Sequence, residues 1–335
     1  MHISVVIPNY NGQRSIEQCL TALLNQSISH NEYEIIVVDD CSTDKSKEYL
    51  NTAIKLYHSL NVIFHNKNMG RCIARNNGIR AARGSIIILV DNDVIVDSTF
   101  IEKHNKYHEE NYQTRLAVIS NLSFAPECIE NSNFGRYMDS CYIGNRSSYE
   151  KVKLDYTNLP PSYFGGGISS VHREELVAVG LFDENIHGYG AEDEQMGYLL
   201  SKAGVRIVFA EDARALHYDF VSLNRYKLKT IEIYQGGYRH LLEQNPKFFD
   251  KTMVRYLLPV NLECDSAKLL AIKLMLTIIL NKITVHLLEL FLRLVDNWSC
   301  LYCKSLYKIL VAGWGFNSIR SKQTGVRLVT YGNNL

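Results

Sequence analysis

Four short runs rich in β-branched residues punctuate the first hundred positions, at Ile3–Pro8, Glu34–Asp40, Asn61–His65 and Ser85–Asp93, and the segments between them carry helical signals. Regular alternation of this kind admits few folds. Strand–helix–strand units join by right-handed crossovers, so the runs predict an α/β chain with a mostly parallel sheet flanked by helices. Ligands of such sheets lie beyond the carboxyl ends of the strands. Three polar segments fall there: Pro8-Asn9-Tyr10-Asn11-Gly12, Asp39-Asp40-Cys41-Ser42-Thr43-Asp44 and Asp91-Asn92-Asp93. They are expected to gather along one edge.

The apolar run Ser85 to Val90 has the pattern of a strand buried on both faces, and it ends in two carboxylates, Asp91 and Asp93. Acids in that position are costly unless they face a cleft or a cation. Oxygen-rich ligation suits Mg²⁺ or Mn²⁺, which keep waters and take phosphate oxygens. Tyr10 with Asn9 and Asn11 can form a platform for a flat base, and Asp39 or Asp40 can accept from a base N–H or a ribose hydroxyl. Ser42 or Thr43 would cap the next helix. The segment Asn66 to Gly78, which includes Asn68, pairs a glycine turn with a helix carrying Arg71 and Arg75 one turn apart. Either arginine can meet a phosphate, although a solvated basic face is the plainer reading.

Between Phe100 and Pro161 the pattern is weak, with one strand expected at Leu116–Leu122. Order returns at the turn Gly165-Gly166-Gly167, then a helix near Arg173–Val179. Glu192, Asp193 and Glu194 open a further helix that should run to Ala203, with Gly204 as its stop and Val205–Phe209 as a strand. Acids in a first turn ordinarily serve the helix dipole. Beside an electrophilic donor, one of them becomes a candidate general base. His217, after that strand, can complete a metal shell, though a lone histidine is more often structural.

A chain of 335 residues, 46% hydrophobic and 21% charged, can bury a full core, and a net charge of +1 gives no reason to expect nucleic acid. The charge is uneven: nine Lys/Arg stand against three Asp/Glu from Asp265 onward. A basic tail on an acidic body points to an anionic surface as one contact. Within that tail Ala267 to Trp298 is strongly apolar, with one polar stripe at Lys282, His286, Glu289, Arg293 and Asp296 that Lys268 also joins. A core or homodimer helix and a membrane-surface helix both fit, while the charges count against a span. The eight scattered cysteines are expected to be reduced, and Cys300 and Cys303 read as half-buried helix thiols rather than zinc ligands. No signal-peptide pattern precedes Ile3, which points to a cytoplasmic body, peripheral on the inner membrane face if the tail meets lipid.

Taken together, Val6-Ile7-Pro8-Asn9-Tyr10-Asn11, Val37 to Asp44, Asn68-Met69-Gly70 with Ala74-Arg75-Asn76, and Asp91-Asn92-Asp93 resemble the inverting family-two glycosyltransferases of the GT-A fold. Gly190 to Glu194 resembles the G-x-E-D-x motif of the galactosyltransferase-like C-terminal half of that fold. The resemblance implies a GT-A domain over residues 1–220, with 1–97 binding the nucleotide-sugar and 98–220 forming the acceptor and catalytic half, then a helical extension over 221–335. It further implies a UDP-sugar donor held by Pro8, Asn9, Tyr10, Asp40, Asn68 and Arg75, with Asp91 on the ribose. Asp93 and His217 would hold Mn²⁺ or Mg²⁺, Asp193 would be the base, and Glu192, Gly166 and Gly167 would shape the donor-sugar and acceptor pockets. The acceptor would be a hydroxyl of a glycan or lipid-linked saccharide in cell-surface polysaccharide synthesis. Processive synthases of this family carry Q-x-x-R-W, whereas Gln235 to His240 has another spacing and no Trp, so one sugar per acceptor is expected. Two other readings are a nucleotide-sugar-binding module without catalysis, which the retained acids oppose, and a nucleotidyltransferase. The latter would need a basic glycine-rich loop after the first strand, and Pro8 to Gly12 has none.

Overall fold

The computed structural model describes residues 2–129, 132–145 and 154–321. Its first half follows the alternation of the sequence. Strands β1 (Ile3–Asn9), β2 (Tyr33–Asp39), β3 (Leu60–Phe64) and β4 (Ile86–Val90) pair in parallel in the order β3-β2-β1-β4. Helices α1 (Ile16–Leu24), α2 (Ser46–Leu56) and α3 (Arg71–Ala81) connect them. Both sides of the sheet are covered. Ile86, Ile88 and Val90 pack with Leu20 and Leu23 on one face, and Ile87 and Leu89 pack with Cys72, Ala74 and Ile79 on the other. Burial on both faces is why β4 reads as an unbroken apolar run rather than an alternating one.

The expected strand Ser85–Asp93 divides. β4 ends at Val90, and after a turn through Asp91, Asn92 and Asp93 the short β5 (Val94–Val96) begins. α4 (Phe100–Glu110) and β6 (Leu116–Phe124) follow, then α5 (Asn133–Asp139), β7 (Ile168–His172), α6 (Arg173–Ala178), α7 (Glu192–Lys202) and β8 (Arg206–His217). Gly204 ends the α7 turn at φ +86°, as expected of a helix stop. β8 runs eight residues beyond the expected strand end at Phe209, so His217 is its last residue.

The full order β3-β2-β1-β4-β7-β6-β8-β5 is mixed in its second half, where β7 and β5 run antiparallel to their neighbours. Within it, β5 lies four places from β4. Four strand spacings make about 19 Å in a flat sheet, whereas the chain from Val90 to Val94 spans at most about 14 Å. The β6–β8 ladder therefore bends, and its register shifts between Ser120 and Asn121. Beyond the shift, Phe124 lies opposite His217 and His217 opposite Val94. This fold of the sheet sets the end of β8 against the Asp91–Asp93 turn.

Beyond β8 the chain is helical: α8 (Leu223–Gln235), α9 (Gly237–Gln244), α10 (Ala267–Ile279), α11 (Lys282–Val295) and α12 (Lys304–Ile319). The expected single helix from Ala267 to Trp298 is two helices bent by 58°. Asn281 causes the break by accepting from the backbone N–H groups of Ile283 and Thr284, which is a helix N-cap. A separate core joins Phe134 and Tyr137 of α5 to Val285, Leu292, Tyr307 and Trp314, so the tail helices are packed on α5. All eight cysteines are free thiols; Cys300 and Cys303 are exposed on a 3₁₀ turn and at a helix start, not half-buried within a helix.

Candidate active site

Strand register determines the first constellation. With Val94 opposite His217 and the Tyr218 N–H donating to the Asp93 carbonyl, the side chains of Asp93 and His217 meet, Oδ1 to Nε2, at 3.4 Å. The other ring nitrogen of His217 sits 2.7 Å from the Tyr142 hydroxyl, and the ring stacks on Phe124. Burial lowers the pKa of His217, but the Asp93 carboxylate more than offsets this and raises it. Among the described residues no three acidic, histidine or cysteine side chains converge on one point. The pair nonetheless fits a divalent cation that takes its remaining ligands from diphosphate and water, because Tyr142 orients the imidazole as outer partners of metal-bound histidines do.

The second constellation centres on Arg75. Its helix places it one turn from Arg71, and its side chain is completely buried. Nη2 donates to Asp91 at 2.9 Å, and Nη1 donates to Asp193 at 3.0 Å and to Glu192 at 3.4 Å. Arg71 adds a bond to Glu192 at 3.3 Å, so two cations face three acids. Asp91 and Asp193 respond differently. Burial works against ionised Asp91, yet Arg75 and Arg71 hold it below its usual value. For Asp193 burial dominates, Arg75 opposes it, and the neighbouring Glu192 and Asp91 charges help push the carboxyl up to about 6. A carboxylate of that strength is ionised at neutral pH yet basic enough to take a proton.

The backbone leading into α7 supports this arrangement. Gly188, Gly190 and Ala191 all have positive φ, and Ala191, at +80°, is a non-glycine residue in the left-handed region. Such strain costs on the order of 1–3 kcal/mol and is sustained only where the surroundings over-determine it. On the other side the chain presses against the acids: a Cβ on Gly166 would lie 2.3 Å from Asp193 Oδ1, and one on Gly167 would lie 2.3 Å from Asp91 Oδ2. Only glycine lets the backbone approach so closely.

Several expected donor contacts have other tasks in this structure. Asp40 is fully buried, and its carboxylate accepts from the backbone N–H groups of Met69 and Gly70 and bonds His65, which pins the loop before α3. Asp39 accepts from Asn9 and Ser42, so Ser42 is a strand-end clamp and not a helix cap. Buried Asn9 also accepts from Asn92, linking the ends of β1, β2 and β4. Pro8 is buried within β1, while Tyr10 and Asn68 are half-buried near the same edge. Arg75 would have to leave three carboxylates to reach a phosphate. Glu192 is buried against both arginines and does not line the cavity described next.

A cavity of about 490 Å³ opens between the two constellations, lined by Asp91, Gly165, Gly167, Asp193 and His217. It is also lined by Glu194, one of the three first-turn acids, and by Tyr142, Tyr163 and Tyr238, to which the sequence had assigned no role. Burial raises the pKa of Glu194, partly offset by a bond from Tyr238. Tyr238 belongs to the Gln235–His240 segment, and Gly237 there packs so tightly on Gly190 and Ala191 that a Cβ would meet them at 2.6 Å or less. A glycine-rich helix break followed by Tyr is the one signal that could have suggested a site role. Tyr142 lies in the weakly patterned middle and had none.

Residues 4–155 match the model described as glycosyl transferase family 2, and residues 146–222 match that of the N-terminal domain of galactosyltransferase. Through residues 4–155 the chain belongs to glycosyl transferase family 2. The chain is 41% identical over 112 residues to the poly(ribitol-phosphate) beta-glucosyltransferase of Bacillus spizizenii, an alignment covering 33% of this chain and 18% of the relative. It spans between 18% and 66% of the length of the first curated relatives it matches. Its fold is GT-A. The mannosyltransferase PcManGT of Pyrobaculum calidifontis, solved with GDP-Man and Mn²⁺, superposes with a TM-score of 0.61 at 16% identity, covering 95% of this chain and 85% of that one. S. aureus TarS 1-349 in complex with UDP-GlcNAc superposes at 0.51 and 15% identity, covering 94% and 90%.

Proposed function

We propose that this transferase moves one sugar from a UDP-sugar to a hydroxyl of a glycan or lipid-linked saccharide, with inversion, in the synthesis of a cell-surface polysaccharide. The observation that carries the reading is the single cavity onto which Asp193, raised to about 6, and the Asp91 and His217 side chains all open. One carboxylate is poised to accept a proton while its neighbour Asp91 is held ionised, and such separated strengths assign separate roles. Asp193 takes the proton of the acceptor hydroxyl as that oxygen attacks the anomeric carbon. The bond from that carbon to the diphosphate oxygen breaks, and the nucleoside diphosphate leaves with the electron pair from the opposite face. Mn²⁺ or Mg²⁺ held by Asp93 and His217 would supply positive charge to the departing diphosphate. Arg75 is a positioning residue, since it holds Asp91 and Asp193 in register with each other. Tyr142, Tyr163 and Tyr238 offer aromatic faces to the apolar face of a sugar ring.

The relatives lend support in kind. One of them is named for beta-glucosyl transfer to poly(ribitol-phosphate), and the two superposed structures hold nucleotide-sugars, one with Mn²⁺. Titration of the protein with a panel of nucleotide-sugars, with Mn²⁺ or Mg²⁺ and after chelation, tests the donor and metal together. The proposal expects metal-dependent binding of a UDP-sugar, followed by transfer of a single β-linked residue to a saccharide acceptor. Binding indifferent to chelation, or an α-linked product, would overturn it.

A further inference from the structure

Helices α10 and α11 each bury a charge and leave a row of large apolar side chains exposed. On a helix packed against a protein in water, leucines turn inward and charges outward. Here Lys273 is buried, with its ammonium 2.8 Å from the Asp265 carboxylate and 3.0 Å from the Pro259 carbonyl. Glu289 is buried too, and it accepts from Lys227 at 2.8 Å, Arg293 at 2.7 Å and the Trp314 indole at 3.0 Å. Many large apolar side chains face out. Ile278, Ile283 and Leu294 are about three-quarters exposed, and Leu287, Leu290 and Trp298 are between 45% and 60% exposed. At 100° per residue, positions 283, 287, 290 and 294 share one face of α11, opposite buried Val285 and Leu292, and exposed Trp298 follows just beyond the helix end. The outward face of these helices is more apolar than the surface of a soluble monomer ordinarily is.

The rim of that face is cationic. Exposed Lys282 and His286 lie along one edge of it, and exposed Lys268 stands near the start of α10. The acids of the segment, Asp265, Glu289 and Asp296, are all engaged in bonds to the protein itself. We infer that this face seats the protein on an anionic lipid surface, with α10 and α11 lying in the plane of the interface. An apolar helix face edged by lysine, with Trp at its end, suits acyl chains below and acidic headgroups beside it. A second copy of the chain fits less well, because a two-fold contact would set one cationic rim against the other. Crossing the bilayer is also disfavoured: α10 and α11 are together long and apolar enough but are bent by 58°, and Glu289 ties α11 to Lys227 of α8. Membrane seating depends on the tail alone and stands apart from the chemistry of the cavity.

Flotation of the full chain with vesicles of phosphatidylcholine, alone or mixed with phosphatidylglycerol, tests this. Wild type should float with the mixed vesicles and less well with phosphatidylcholine alone. Ile283→Gln with Leu287→Gln and Leu294→Gln should lose roughly tenfold or more in partitioning, since each substitution removes buried apolar groups at the interface. Lys268→Gln with Lys282→Gln should abolish the preference for phosphatidylglycerol. Should the triple variant fold poorly, Trp298 provides a second measurement: its fluorescence should shift to the blue and be quenched by brominated lipid, while buried Trp314 stays unchanged. Wild type that remains unbound to both vesicles, or a well-folded triple variant that floats like wild type, would overturn the inference. So would a lipid-free dimer in sedimentation that the triple variant converts to monomer.

Discussion

Arg75 donates to Asp193 Oδ1 at 3.0 Å through one guanidinium nitrogen and to Asp91 Oδ1 at 2.9 Å through the other, so one side chain sets both the spacing and the strengths of the two acids. Their environments then divide them, with Asp91 lowered and Asp193 raised to about 6. The acid limb of the pH–rate profile should accordingly fall as the pH drops through about 6, where the base becomes protonated. Asp193→Asn should reduce turnover by roughly 10²–10⁴-fold while leaving metal-dependent donor binding near normal. A stability consequence accompanies it. A carboxyl whose folded pKa exceeds its unfolded one stabilises the fold least once the pH rises past both, so Asp193→Asn should raise Tm at pH 7, and the gain should vanish near pH 4. Near-normal turnover in the Asn variant would remove Asp193 as the base.

Arg75→Lys keeps the charge but loses the fork that reaches two carboxylates at once. The acid limb should move to higher pH as the remaining cation couples less closely to Asp193, and kcat should fall more than KM rises. Arg75→Met leaves three acids to Arg71 alone, with Asp91 and Asp193 losing their hydrogen-bonded partner, and should destabilise the protein by about 3–5 kcal/mol in chemical denaturation. An unchanged pH profile in the Lys variant would show that Arg75 does not tune the base.

Much of this was legible in the sequence. The strand ends are, since β-branched runs and their terminal acids report local patterning, and Glu192–Asp193–Glu194 is marked by its place at a helix start. The tasks of Asp40 and Arg75 are not, because whether an acid faces a ligand or a loop N–H is settled by approaches such as Asp40 to Gly70 that no spacing encodes. The Asp93–His217 pair depends on a bend in the β6–β8 ladder that appears in sequence only as an overlong strand. In the tail, periodicity separates a polar stripe from an apolar face on α11 but does not say which side turns inward: Glu289 is buried with Val285, Leu292 and Val295, while Lys282 and His286 of the same stripe are exposed.

Tyr142 has a separable part. Its hydroxyl, 2.7 Å from His217 Nδ1, fixes the ring so that Nε2 faces Asp93. Removing an outer partner of a metal-ligating histidine typically costs 10–100-fold in metal affinity. Tyr142→Phe should therefore weaken Mn²⁺ binding by roughly tenfold or more in a titration with nucleoside diphosphate present, with Tm little changed. Equal affinity in the two proteins would detach Tyr142 from the metal.

Gly166→Ala and Gly167→Ala test how closely the backbone must approach the acids. Each new methyl carbon would stand 2.3 Å from a carboxylate oxygen, of Asp193 and Asp91 respectively, and must displace it. A shift near 1 Å in a reacting group can cost about 10²-fold in rate. Gly166→Ala should chiefly depress kcat through the base, whereas Gly167→Ala should chiefly raise the donor KM. Identical kinetic signatures would contradict the division of labour between Asp193 and Asp91.

A buried acid and an exposed leucine on one helix make opposite demands on Glu289 and Leu294. Glu289 binds Lys227, Arg293 and Trp314 inside the C-terminal core, and these bonds hold its pKa down despite burial, which alone would raise it. Glu289→Gln leaves two partly exposed cations short of their partner and should lower stability by about 1–3 kcal/mol in urea at neutral pH. A carboxylate with a lowered folded pKa contributes stability above its unfolded value and loses it as the pH falls through the folded one. The gap between wild type and variant should therefore narrow below the ordinary glutamate range near 4.3. Leu294, 77% exposed, should tolerate Gln within about 0.5 kcal/mol in the same denaturation series. On a helix built for water on its outer side the acid would be expendable and the leucine would not, so the sign of this contrast reports which face of α11 the protein keeps for itself.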